Sequence, residues 1–359
     1  MNDTIDGETG SSAMSELESL GGWPAVLRIV TAGADLDEAM AHAAMSEILA
    51  GGAAPAQIAG LVIGLRTKGE TVAELSGFLR AMLDVVTPVP IDADALGLVD
   101  TCGTGGDGSH SINVSTIAAL VVAGAGGRVC KHGNRGASSK CGSADLLAEL
   151  GVRIDAPPEV VAECVRAAGI GFCFAPAYHG AMRHAGPTRR ELGVPTAFNY
   201  LGPLANPARV RRQIVGVSDP AMAERMLEVL AAGGARRAMI VHGDDGLDEL
   251  TVTTTSSVLE LRDGERTSWK VDPSELGLAL ASSKDLVGGD AAENAAHARR
   301  VLDGTAGPHR DVVVLNAAAA LVVGDVVADL AAGVEAAGRS IDEGAAARAL
   351  DDLVRVSQS

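Results

Sequence analysis

The run Gly103-Thr104-Gly105-Gly106-Asp107-Gly108, with Asn113-Val114-Ser115-Thr116 close behind it, has the composition of a phosphate cradle. Its four glycines in six residues leave the backbone free to take positive φ and to bring N–H groups against a ligand. Successive N–H groups in such a loop make a concave nest for phosphate oxygens. The apolar run Leu96 to Val99 ahead of the loop reads as a strand, and Ile117 to Ala123 behind it reads as a helix. That helix would add the free donors and positive dipole end of its first turn.

Three further stretches could do chemistry with it. Lys131-His132-Gly133-Asn134-Arg135-Gly136-Ala137-Ser138-Ser139-Lys140, then Cys141-Gly142-Ser143, gathers cations, an amide and hydroxyls in another loop between a strand and a helix. Charge from Lys and Arg, with directional donors from Ser and Asn, suits a small polyanion. Asp248-Glu249, after the strand ending at His242, places adjacent carboxylates at a strand end. Such a pair suits Mg²⁺ held against phosphates, with water completing the octahedron; Asp244 and Asp245 belong to the turn itself. The fourth stretch runs from Phe174 through His179, Arg183, His184, Arg189 and Arg190 to Pro207 and offers His and Arg to a second, anionic substrate. Arginine is the natural partner of a carboxylate. Arg183 and Arg190 read as helix-surface charge, and for His179 the choice between substrate contact and packed imidazole stays open.

The elements that must position these groups follow from periodicity. From Trp23 to Val86 the pattern is helical, broken at Gly33, at Gly51-Gly52 with Pro55, and at Lys68-Gly69. Thereafter strands are expected at Leu96–Cys102, Arg128–Cys130, Ile170–Phe174, Arg212–Val217 and Ala238–His242. Helices are expected at Thr116–Ala125, Ser143–Leu150, Pro158–Ala168, Ala221–Ala232, Ala291–Leu302 and Val312–Val322. This predicts an α/β fold: a small all-helical N-terminal domain and a larger α/β domain with a central, mostly parallel sheet flanked by helices. We divide the chain into a disordered tail over 1–15, a helical domain over 16–90 and an α/β domain over 91–178 and 207–359. Segment 179–206 is expected to return to the helical domain or its hinge. Loops at one end of a parallel sheet share the edge where open α/β folds bind ligands.

Composition bounds the partners. The 359 residues are 47% apolar but only 2% aromatic, so Ala, Val, Leu and Ile must build the core. A net charge of −17 speaks against nucleic acid or an anionic membrane as a partner. Val312 to Val323 falls short of the ~20 residues that span a bilayer, and the acidic start carries no signal segment. A soluble, cytoplasmic protein is expected. The five cysteines form no zinc spacing and read as reduced, buried apolar side chains.

In combination, GTGGDG with NxST, KHGNR with paired serines, GVPTxFNxLGPLxNP and GDDGLDE, in this order and in these loops, resemble the anthranilate phosphoribosyltransferases of tryptophan biosynthesis. The likeness extends to Ala54-Pro55-Ala56-Gln57-Ile58 and Lys68-Gly69-Glu70-Thr71. It implies an active site in the hinge cleft between the domains and a homodimer joined through the helical domain. Phosphoribosyl pyrophosphate would be held by Gly103, Gly106, Asp107, Ser111, Asn113, Val114, Ser115, Thr116, Lys131, His132, Gly133, Asn134, Arg135, Gly136, Ala137, Ser138, Ser139 and Ser143. Mg²⁺, as a pair of ions per subunit, would be served by Ser115, Asp248 and Glu249. Anthranilate would meet Gly103, Asn134 and Arg189, with His132 and His179 beside its pocket. Catalysis would fall to Lys131, Asp248 and Glu249 through charge and metal, without an assigned general base.

The chain departs from the family pattern at Ser111, where Thr is usual, and at Gly136, where Ala is usual. Neither change removes a functional group. Two rival readings fit the sequence less well. A pyrimidine nucleoside phosphorylase would not need the paired carboxylates, and a non-catalytic nucleic-acid-binding relative would need a basic surface.

Overall fold

The computed structural model describes residues 15–136 and 139–359. Ala137 and Ser138 of the basic loop, and nearly all of the expected 1–15 tail, lie outside the described residues. Five short helices come first: α1 (Glu16–Ser19), α2 (Gly22–Thr31), α3 (Glu38–Ala50), α4 (Pro55–Lys68) and α5 (Val72–Asp84). Two stretches that carried the family resemblance are helix starts. Pro55 opens α4, and Gln57 Oε1 accepts the Ala54 N–H at 2.8 Å. Thr71 caps α5 while Glu74 reaches back to the Thr71 N–H at 2.8 Å, the reciprocal capping box. The Glu74 carboxylate is fully buried, so it needs its further partners, Lys68 Nζ at 2.8 Å and the Leu36 N–H at 2.9 Å. Both motifs are structural.

The strands are β1 (Val99–Gly103), β2 (Val129–Gly133), β3 (Ile170–Phe174), β4 (Arg212–Gly216), β5 (Arg237–Gly243), β6 (Ser256–Arg262) and β7 (Glu265–Val271). They form one sheet in the order β3-β2-β1-β4-β5-β6-β7. The first five are parallel; β6 and β7 add an antiparallel hairpin at one edge. That hairpin was not among the expected strands. Its signal is the Asp263-Gly264 turn, whose φ values of 49° and 88° match a tight hairpin bend.

The remaining helices are α6 (Val114–Gly124), α7 (Ser143–Glu149), α8 (Pro158–Ala168), α9 (Ala175–Tyr178), α10 (Gly186–Leu192), α11 (Ala197–Leu204), α12 (Ala223–Ala232), α13 (Ala291–Leu302), α14 (Pro308–Val323), α15 (Leu330–Asp342) and α16 (Ala345–Ser357). Side chains alternate across the sheet as strand geometry requires. Ile214, Met239 and Val241 face a core built from α6, α13, α14, α15 and α16. Val215, Ala238 and Ile240 face the opposite core, which also contains α2 to α5, α11 and α12. That second core includes Ala185, Ala197, Phe198, Tyr200, Leu201 and Leu204, so the segment between β3 and β4 packs with the helical domain.

Candidate active site

Strand order reverses between β1 and β4, which opens a crevice at their carboxyl ends. The glycine loop leaves β1 there, and the basic loop leaves β2 beside it. Gly105, Gly106 and Gly108 all take positive φ, at 66°, 81° and 70°. The loop is stitched to the end of β4: Thr104 N–H donates to Gly216 O at 2.9 Å, and Ser218 Oγ donates to Gly105 O at 2.9 Å.

The acidic pair closes on this loop. Asp248 Oδ2 accepts the Gly105 N–H at 2.7 Å, and Glu249 Oε1 accepts the Ser115 N–H at 3.1 Å. Asp107 stands on the same side, its Oδ2 3.5 Å from the Asp248 N–H while also accepting Ser109 Oγ at 2.7 Å. Burial pushes the Asp248 carboxyl well above the ordinary range, and its neighbours Glu249 and Asp107 push it further. Burial also pushes Glu249 up to about 7, against the opposing pull of Lys131 and Ser115.

Among the described residues no three His, Cys, Asp or Glu side chains converge into a closed metal cage. Mg²⁺ does not need one, because it takes one or two carboxylates and fills its octahedron with water and substrate phosphates. Buried carboxylates held above their ordinary pKa beside a hydroxyl at Ser115 are an all-oxygen donor set that a hard cation relieves. The residues fit the ion.

Lys131 is buried, and its Nζ donates to Thr101 O and lies 3.3 Å from Ser115 Oγ. Its charge therefore sits under the start of α6, whose N-cap Asn113 makes no side-chain cap bond. Asn113 instead ties the two loops together: Nδ2 donates to Cys141 O at 3.0 Å, and Oδ1 accepts from Asn294 Nδ2 at 2.9 Å. Val114 and Thr116 are buried behind that turn, and Ser111 bridges to Val287.

Asp145, which the sequence reading passed over, shapes the basic loop. Its carboxylate accepts the Gly136 and Gly142 N–H groups, each at 2.9 Å, and Arg135 Nη1 at 2.6 Å. Burial pushes this carboxyl up, but those three donors outweigh it and hold it below its ordinary value. Asn134 and Ser143 exchange bonds: the Asn134 N–H donates to Ser143 Oγ and Ser143 Oγ donates to Asn134 O, each at 3.2 Å, while the Ala144 N–H also donates to Asn134 O at 3.1 Å. Gly133 lets Ser143 come this close. Ser139 Oγ donates to Cys141 O at 3.1 Å.

The segment between β3 and β4 supplies the far wall. Arg189 lies 4.9 Å over the Phe198 ring, forms no ion pair among the described residues, and is pushed below its ordinary pKa by burial. A half-buried guanidinium without a carboxylate is ready to receive one. Arg190 is exposed, and so is Arg183, which bonds Gly180 O at 3.2 Å. The His132 and His179 rings stand 5.0 Å apart. His132 Nδ1 is 3.1 Å from Gly202 O and must donate to it, which leaves Nε2 as a bare acceptor, buried and unpartnered among the described residues. Burial, then the neighbouring His179, lowers the His132 pKa to about 3.

Other residues that the sequence reading missed hold the framework. Asp100 is fully buried; it accepts the His132 N–H at 3.0 Å and Asn206 Nδ2 at 2.7 Å. Cys102 and Cys141 are buried thiols pushed above their ordinary pKa by that burial, which makes them poor nucleophiles.

Residues 24–86 match the helical bundle domain of the glycosyl transferase family, and residues 96–347 match its a/b domain. Over 337 residues the chain is 52% identical to an anthranilate phosphoribosyltransferase of Nocardioides sp., covering 92% of this chain and 98% of that one. The enzyme of that name from Symbiobacterium thermophilum is 49% identical, with coverage of 92% and 96%. Among solved structures, the anthranilate phosphoribosyltransferase of Thermus thermophilus superposes with a TM-score of 0.87 at 41% identity, covering 93% of this chain and 99% of that one. The enzyme of Saccharomyces cerevisiae, solved in complex with PRPP and Mg, superposes at 0.86 with 25% identity, covering 94% and 98%.

Proposed function

The chain belongs to the anthranilate phosphoribosyltransferases, and we propose that its switch-point cleft moves the 5-phosphoribosyl group of phosphoribosyl pyrophosphate to the amine of anthranilate. The products are N-(5-phosphoribosyl)anthranilate and pyrophosphate, in a step of tryptophan biosynthesis. The observation that carries this reading is the bond from the Gly105 N–H to the Asp248 carboxylate, which joins phosphate loop and acidic pair at one point.

Breaking the C1–O bond builds oxocarbenium character on the ribose and negative charge on the departing pyrophosphate. The glycine-loop amides, the first turn of α6 and the Lys131–Arg135 loop are fixed before reaction, so they stabilise that charge without reorganising. Within this reading Gly103, Gly106, Asp107, Ser111, Asn113 to Thr116, Lys131 to Gly136, Ser139 and Ser143 surround phosphoribosyl pyrophosphate. Ser115, Asp248 and Glu249 hold a pair of Mg²⁺ ions, which supply Lewis-acid neutralisation of the diphosphate when bound. Lys131 adds its charge beneath, and it orients the Ser115 hydroxyl by the 3.3 Å contact.

Gly103, Asn134 and Arg189 receive anthranilate, with Arg189 on its carboxylate and His132 and His179 as neutral walls. The aromatic amine is already uncharged at neutral pH, so alignment over the ribose carries much of the rate and a strong base is unnecessary. The same reading takes 16–90 with 179–206 as the helical side of the cleft and the remainder as the phosphate side. It also makes the protein a cytoplasmic homodimer.

Anthranilate fluorescence followed with phosphoribosyl pyrophosphate and Mg²⁺ tests the reading. Consumption that stops on EDTA addition supports donor, acceptor and metal together. Steady fluorescence from folded, metal-replete protein overturns the acceptor, and phosphorolysis of thymidine by the same sample would replace the reaction.

A further inference from the structure

From Val312 to Val323, α14 is apolar and buried except for one residue, Asn316, which is itself only 2% exposed. A carboxamide in such surroundings is tolerable only when its bonds are made. Asn316 makes three: Oδ1 accepts the Leu250 N–H at 3.0 Å, and Nδ2 donates to Leu250 O at 2.8 Å and to Val312 O at 2.9 Å. Leu250 is fully buried and follows directly on Asp248-Glu249, in a stretch between β5 and β6 that pairs with no strand. The side chain of Asn316 thus takes the place of a strand partner, satisfying both backbone groups of one residue.

We propose that Asn316 is a positioning residue for the metal-binding carboxylates. By holding Leu250 on both sides, it fixes the direction in which Asp248 and Glu249 leave the chain. That direction is what brings Asp248 to the Gly105 N–H and Glu249 to the Ser115 N–H. Asn316 bonds neither carboxylate and neither loop, so it acts through Leu250 alone. The inference rests on the assignment of those carboxylates to Mg²⁺.

The test is Mn²⁺ titration of the full chain, followed by electron paramagnetic resonance with pyrophosphate present. Wild type is compared with Asn316→Leu, Asn316→Ser and Asp248→Ala; circular dichroism and the KM for anthranilate are measured alongside. Asn316→Leu keeps the volume and removes the bonds; Asn316→Ser leaves room for water to replace some of them. The expected result is Mn²⁺ affinity weakened by roughly 10- to 100-fold in Asn316→Leu, the range for lost outer supports of metal ligands. Asn316→Ser should weaken it less, the KM for anthranilate should stay near wild type, and excess Mg²⁺ should recover turnover. A merely structural role would lower the amount of folded protein and leave Mn²⁺ affinity alone. Unchanged affinity in Asn316→Leu, where Asp248→Ala has lost it, overturns the inference and spares the metal assignment. Binding that survives Asp248→Ala overturns the assignment and the inference with it. Should Asn316→Leu not fold, Asn316→Ser decides by the same criterion.

Discussion

A side chain on Gly216, the last residue of β4, would run into the backbone carbonyl of Asp248. The acidic segment crosses the end of β4 at contact distance and then lies against β1, where a Cβ on Gly103 would stand 2.5 Å from Asp248 Oδ2. The crevice floor is therefore two glycines wide because a carboxylate rests on it.

Gly216→Ala must push the 248–249 backbone off the strand end. A displacement near 1 Å at a reacting centre can cost about 100-fold, so kcat/KM should fall by at least that factor. Overpacking should cost about 1–3 kcal/mol of stability. Steady-state kinetics with urea unfolding measures both. Near-normal turnover would mean that the crossing yields without moving the carboxylates.

Glu249→Gln separates activity from stability in opposite directions. The Glu249 carboxyl is pushed up to about 7 by burial, whereas its unfolded value is about 4.3. The folded state therefore binds more protons between those values, and the metal-free protein loses stability as pH rises through that window. Glutamine keeps an acceptor for the Ser115 N–H and carries no charge. At about pH 8 the metal-free variant should outlast wild type in urea, and the difference should vanish toward about pH 4. Its turnover should be lost at both values. A variant less stable than wild type at the alkaline end would refute the burial argument.

The loops of the candidate site were legible because their chemistry is local: glycines, cations and carboxylates announce themselves at strand ends. The supports were not. Asn316 hides in a run whose other residues correctly read as core helix, and only its being the one amide there marks it. Asp100 and Asn206 meet across 106 positions of sequence at 2.7 Å, a pairing that no periodicity encodes. Asp145 reads as an ordinary first-turn carboxylate of α7 until the loop folds over it. The β6–β7 hairpin was missed for another reason. Most of β7 is exposed, so its residues lack the apolar alternation that marks a half-buried strand.

The neutral imidazole of His132 should appear in the acid limb of stability. Its folded pKa is lowered to about 3, with burial as the leading cause, against about 6.5 when unfolded. Between these values the unfolded chain binds the extra proton, so stability is complete above about pH 6.5 and declines as pH falls toward the folded value. One such group contributes at most about 1.4 kcal/mol per pH unit. His132→Asn keeps a donor for Gly202 O and cannot titrate, so its urea midpoints between about pH 6.5 and 4 should fall less steeply than those of wild type. Equal slopes would show that the ring takes up its proton in the folded state.

Arg189→Lys tests recognition of the acceptor at constant charge. Arg189 combines a planar fork with stacking over Phe198 at 4.9 Å, and lysine supplies neither the bidentate geometry nor the flat face. Losing one charge-assisted bond from a bidentate pair costs about 1.5–3 kcal/mol, so kcat/KM for anthranilate should fall by roughly 10- to 100-fold. The KM for phosphoribosyl pyrophosphate should stay near wild type, because Arg189 belongs to the segment between β3 and β4 and not to the phosphate loops. Aniline, which lacks the carboxylate, should be used equally poorly by both proteins. Initial rates over a grid of both substrates give all three numbers. Parallel loss for donor and acceptor would place Arg189 in the framework of the cleft instead of its acceptor pocket, and undiminished use of anthranilate would remove it from recognition altogether.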